Sequence, residues 1–165
     1  MPHLGRLRFL AFASSILAAS TVSHATVRYV LQNRGTFQEG CFAPCLCPVM
    51  ETGSLDGTFE LGLVTVGDVF DAYSVEDVRW LAEVPLNERS IAGDGTYKVS
   101  TVTDQNEMSA DLTIDQNVPE HFTSGTVPTH AVFPEIDVTI SKNGIYCRDT
   151  VMDVRARPTP RLAME

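Results

Sequence analysis

Basic charge is scarce in this 165-residue chain: 12 Lys and Arg stand against 21 Asp and Glu, a formal net charge of −9. That balance argues against nucleic-acid backbones and anionic membrane surfaces, because both need a basic footprint. Aromatic residues make up 8% with a single tryptophan, yet 44% of the chain is apolar and the mean hydropathy is +0.01. This is not the composition of a disordered chain. Beyond residue 25 no apolar run is long enough to cross a bilayer. The sequence also lacks an internal repeat, a heptad pattern and any low-complexity tract. No G-x-S-x-G elbow, P-loop, H-E-x-x-H or dinucleotide fingerprint is present. The common catalytic signatures are therefore missing, and no catalytic residue can be named from sequence.

The first 25 residues carry an address. Arg6 and Arg8 form a positive start, Phe9 to Ala19 is uncharged and largely apolar, and Ser23-His24-Ala25 offers small residues to a signal peptidase. Cleavage before Thr26 is expected, leaving 10 basic and 21 acidic residues. The mature protein is then exported, periplasmic or extracellular, with no stable membrane insertion. The expected organisation is a signal peptide over 1–25, one domain over 26–156 and a flexible tail over 157–165.

The body of the chain alternates with period two, the mark of half-buried strands. Val27, Tyr29 and Leu31 alternate with more polar neighbours, as do Phe59, Leu61 and Leu63, and Val78, Trp80, Ala82 and Val84. The same pattern recurs in Met108, Ala110, Leu112 and Ile114, and in Ile136, Val138 and Ile140. Asn143-Gly144 suits a type I′ hairpin turn. Turn residues at Ser54 to Gly57 and Gly93-Asp94-Gly95 look like breaks between strands, and Asp68 to Asp77 has room for a helix. These features predict an all-β fold, an antiparallel β-sandwich or flattened barrel of seven to eight short strands with little helix. Trp80 belongs to its core. The two longest non-strand segments, Cys41 to Ser54 and about Gln116 to Glu135, are where function is expected on such a scaffold.

Three of the four cysteines, Cys41, Cys45 and Cys47, fall within seven residues, and Cys147 lies about a hundred residues on. In an exported protein an even count predicts disulfides. Every possible connectivity ties Cys147 to one member of the cluster. Strain disfavours a Cys45–Cys47 pair, so Cys147 is expected to take Cys45 or Cys47, with Cys41 holding the other. The same sulfurs with Met50 also offer soft donors for Cu(I) or Zn(II), with His121 and His130 as nitrogen donors. The spacing matches no standard zinc site, and an oxidising compartment consumes thiols. A C-x-C redox couple is a third use of the cluster, but no thioredoxin-like βαβ pattern accompanies it.

From Gly35 to Gly57 the chain runs through the short strand Thr36-Phe37-Gln38-Glu39-Gly40, the Cys-Pro cluster and Leu55-Asp56-Gly57. This run resembles the opening of an uncharacterised bacterial domain-of-unknown-function family that begins with a cysteine-rich loop ending in Cys-Pro-Cys. Here the order is Cys45-Leu46-Cys47-Pro48, a departure from that pattern. The resemblance covers about a seventh of the chain and implies no activity, cofactor or catalytic residue.

Remaining constellations are weaker. His121 and Ser124 lie close in sequence, without an identifiable oxyanion donor. Asp94, Asp104, Glu107, Asp111 and Asp115 could bind Ca²⁺ through oxygen, or simply form a solvated acidic face. Paired carboxylates of a glycoside hydrolase leave no local signature. The sequence thus predicts a disulfide-stapled binding or structural module without cofactor. A copper- or zinc-handling protein is the alternative, and an enzyme of unknown type comes third.

Overall fold

The computed structural model describes residues 25–33, 35–45 and 47–160. The signal-peptide expectation falls almost wholly on 1–24 and lies outside the described residues. Ten strands form one antiparallel sheet: β1 (Thr26–Leu31), β2 (Thr36–Cys41), β3 (Met50–Thr65), β4 (Phe70–Val84), β5 (Asn87–Ser100), β6 (Gln105–Ile114), β7 (Glu120–Thr123), β8 (Val127–Pro128), β9 (Ile136–Ser141) and β10 (Arg148–Pro158). Among the described residues there is no helix, and all of Asp68 to Asp77 beyond Val69 lies within β4.

The sheet closes on itself. Hydrogen-bonded neighbours run β2-β3-β4-β5-β6-β7-β9, and β10 pairs with both β9 and β2. β1 pairs with β3 and β10 beyond the ends of β2, so β1 and β2 share one place in the ring. The result is an up-and-down barrel of eight positions, with β8 as a short addition on β6. Of the two architectures expected from sequence, this is the barrel. Closure removes sheet edges that would otherwise offer unpaired backbone to another chain.

Alternation then sets inside against outside. Phe37, Leu55, Phe59, Trp80, Ile91, Tyr97, Met108, Leu112, Phe122, Ile140 and Met152 are all buried. Their alternates, such as Arg28, Glu60, Lys98 and Asp153, are polar, the reverse of the apolar outer band of a membrane barrel. Trp80 packs edge-on against Phe59, with ring centroids 6.0 Å apart, and Phe59 stacks on Tyr29. Val78, Ala82 and Val84 are buried beside it, as the alternation indicates.

Where the strands differ from expectation, glycine and bulges explain it. Gly57 and Gly93 sit inside strands, at φ of +134° and +156°. A Cβ on either would come within 2.1 Å of a backbone oxygen of the neighbouring strand, Arg79 O or Asp111 O. These glycines permit close backbone approach in a curved sheet; they do not end strands. At Val75/Val78 the register slips against β5, and Asp77 takes φ +51°. Val75 and Val78, three apart, therefore both face inward. β10 itself runs two residues past the expected domain boundary at 156. β10 continues to Pro158, opposite Tyr29, and Thr159 N–H and Oγ1 both donate to Arg28 O. Pairing with β1 holds this part of the tail.

Replacing Trp80 by alanine is expected to cost about 3–5 kcal/mol in urea unfolding. The indole N–H has no hydrogen-bond partner among the described residues. Trp80→Phe, which keeps the ring and drops that donor, is expected to cost markedly less. A Trp80→Ala loss below about 1 kcal/mol would contradict core packing at this position.

Candidate functional site

Four connections meet at one end of the barrel: β2–β3, β4–β5, β6–β7 and β9–β10. The first holds the cysteine cluster. Cys41 pairs with Cys47 within the loop, at a Cα separation of 5.6 Å. Cys45 pairs with Cys147, 102 residues along the chain, at a Cα separation of 4.9 Å. No cysteine is free among the described residues. Phe42 N–H also donates to Cys147 O at 2.8 Å, so a backbone bond and a covalent bridge hold the same two segments together.

The β9–β10 connection is organised by a buried carboxylate and is not a two-residue turn. Asp149 accepts hydrogen bonds from the backbone N–H groups of Lys142, Asn143, Ile145 and Thr150, at 2.7 to 3.1 Å. Gly144, Ile145 and Cys147 have positive φ, but Asn143 does not, so the type I′ expectation fails. A β-branched residue such as Ile145 at φ +59° is strained. Asp149 and the Cys45–Cys147 bridge flank that strain and hold it.

Below these loops the barrel mouth forms a cleft of about 620 Å³, lined by Glu39, Arg89, Asp115, Glu120, Lys142 and Arg148 among others. Each comes from a different strand or strand end, so the ring of charge follows directly from closure. Arg89 is the central strut. Its Nη1 donates to Asp115 Oδ2 at 2.9 Å, and its Nη2 lies 3.5 Å from Glu51 and 3.8 Å from Glu39. The hydrogen bond with Asp115 raises the Arg89 pKa and lowers that of Asp115 below the usual carboxylate range. Lys142 pairs with Glu120. Arg148 has no carboxylate partner among the described residues and lines both this cleft and a second, of about 410 Å³, beside Cys41 and Cys47.

The other residues singled out from sequence do not converge here. All four cysteine sulfurs are bound to one another, and Met50 stands exposed at the start of β3. His130 follows β8 at the opposite end of the barrel, so it is not brought to the sulfur cluster. No group of three or more His, Cys, Asp or Glu residues suited to a metal is found among the described residues. Three of the acidic set are taken up in pairs, Glu107 with Lys98, Asp111 with His121 and Asp115 with Arg89, and Asp94 stands opposite Asp111.

His121 does not meet Ser124, whose hydroxyl bonds to backbone at Met108 and Gly125. On the outer wall, His121 Nε2 lies 3.2 Å from Ser109 Oγ and Nδ1 lies 2.8 Å from Asp111 Oδ1. Sequence reasoning missed Ser109. The only signal was Ser-x-Asp on a strand followed by a histidine in the next one, which is readable only once the β6–β7 register is known. Set against protein-family models, curated proteins and solved structures, the chain matches none.

The Arg89–Asp115 pair has a defined pH signature. A lowered carboxylate pKa contributes stability above the ordinary value of 3.8, and this is lost as pH falls through the folded-state pKa. Arg89→Ala is therefore expected to lower the melting temperature at pH 7, with the gap to wild type narrowing below about pH 4. A gap of the same size at pH 3 would refute the ion-pair account.

Proposed function

We propose that this protein is an exported, disulfide-stapled β-barrel that serves as a binding module through its mouth. The carrying observation is the Cys45–Cys147 bridge, which ties the longest mouth loop to the β9–β10 connection beside the charged cleft. Loops fixed on a rigid scaffold are where binding residues commonly sit. Ion pairing at Arg89 and Lys142 presets the cleft, while Arg148, without a carboxylate partner among the described residues, is placed to receive an anionic group. Two disulfides suit an oxidising compartment and agree with the leader-like order of residues 1–25. The same loop carries the resemblance to the uncharacterised bacterial family, and kinship with it is part of this proposal. The copper- or zinc-handling alternative requires thiolates at Cys41, Cys45 and Cys47, which these bridges consume.

Intact mass spectrometry of protein from its native compartment, alkylated without reductant, tests the export and disulfide claims together. The expected mass begins at Thr26 and carries no alkyl group. Cys147→Ser is expected to cost about 2–5 kcal/mol, since the bridge closes a loop of about a hundred residues. Added Cu(I) or Zn(II) is expected to leave the melting temperature unchanged. Free thiols with stoichiometric metal would favour the alternative. Binding at the mouth is read as a rise in melting temperature with small carboxylate or phosphate compounds, abolished by Arg148→Glu. Stabilisation that survives Arg148→Glu would move the site elsewhere.

A further inference from the structure

The outer wall of the barrel carries a second arrangement of reactive side chains, on β6 and β7. Ser109 and Asp111 are alternate residues on β6, and their neighbours Ala110 and Leu112 are buried, so both point outward. His121 stands opposite Asp111 in register, and Thr123 stands opposite Ser109. On the other side of β6, Asp94 and Thr96 of β5 face Asp111 and Ser109. The wall therefore holds a row of three hydroxyls, Thr96-Ser109-Thr123, beside a row of Asp94, Asp111 and His121.

Hydrogen bonding gives these residues a direction. Asp111 accepts from His121 Nδ1–H at 2.8 Å, a choice that leaves Nε2 as the lone-pair nitrogen. With that tautomer, Nε2 accepts a hydrogen bond from the Ser109 hydroxyl at 3.2 Å. Nucleophile, base and orienter are in order, and all three sit on paired strands that fix their spacing. Thr123 Oγ1 already accepts from Gly125 N–H, which leaves its own hydroxyl proton to donate beside Ser109.

The geometry points to Ser109 as an activated nucleophile, with His121 as its general base and Asp111 as the residue that positions the imidazole, acting on small activated esters. Ser109 Oγ attacks the ester carbonyl as its proton passes to His121 Nε2. The carbonyl–oxygen bond to the leaving group then breaks; a basic leaving oxygen takes that proton from His121, while a stabilised one departs as the anion and His121 gives the proton to solvent. Water next attacks the acyl-serine as its proton passes to neutral His121; the acyl–Oγ bond breaks, the carboxylic acid is released, and His121 returns the proton to Ser109 Oγ. Thr96 and Thr123 flank Ser109 in register and are the hydroxyls assigned to donate to the oxygen that becomes negative. The site lies open on the wall, with His121 exposed, so it offers no pocket to bind the acyl group and acts only on esters with good leaving groups.

The test uses the mature chain with p-nitrophenyl acetate and, separately, diisopropyl fluorophosphate. Peptide mass spectrometry is expected to find the acetyl or phosphoryl adduct on Ser109, and p-nitrophenolate release is expected to fall to background in Ser109→Ala. His121→Gln is expected to slow adduct formation at least about tenfold. Asp111→Asn is expected to slow it too, with partial recovery in Asp111→Glu, a difference that a purely structural aspartate would not produce. All three side chains leave the core untouched, so unchanged circular dichroism and melting temperature confirm that the variants fold. Adducts found only on lysines or other hydroxyls would overturn the proposal. So would p-nitrophenolate release at the wild-type rate in Ser109→Ala, or Ser109 labelling indifferent to His121→Gln.

Discussion

The pairing of β10 with strands on both its sides is the constraint on which the rest of the molecule depends. β10 joins β9 on one side and β1 and β2 on the other, so a single strand closes the ring. Without it the sheet would expose two long edges, and the inward-facing Phe37, Phe59 and Ile140 would line an open trough. Closure turns that trough into a core and brings Glu39, Arg89, Glu120, Lys142 and Arg148 into one mouth. Both disulfide-bearing segments lie at that end, so the covalent links reinforce the seam that the backbone has already made.

Interior and rim follow different physics. Below the mouth, burial of aromatic and aliphatic side chains supplies the stabilisation, at about 25 cal/mol per Å² of apolar surface removed from water. At the mouth the inward positions turn polar, and a half-exposed Arg89 bridges three carboxylates. Pairs this close to solvent add little to stability. Their effect is to fix where charge sits above the apolar core.

All-β character, the burial of Trp80 and the involvement of all four cysteines in bridges were legible because each rests on local pattern or on counting. What escaped depends on contacts between distant segments. Gly57 and Gly93 read as turn residues because glycine marks turns and close approaches alike, and only the neighbouring strand tells which. The slip at Val75/Val78 breaks the period of two, which gave Asp68 to Asp77 the look of a helix. Asn143-Gly144 was overridden by Asp149, a buried carboxylate whose role depends on the loop folding back over it. Ser109 and His121 meet only through the register of β6 and β7.

The order of the two bridges along the chain carries a further consequence. Cys45 lies inside the loop closed by Cys41 and Cys47, yet its own partner is the last cysteine to be synthesised. In a chain delivered N-terminus first to an oxidising compartment, Cys41 and Cys45 meet an oxidant before Cys147 arrives. Joining them in order of emergence gives a non-native link, which thiol–disulfide exchange must then undo. For a chain exported as proposed, any Cys41–Cys45 link must be isomerised before Cys41 can join Cys47 and Cys45 can join Cys147, so the nested order of the two bridges ties correct pairing to exchange as well as to oxidation.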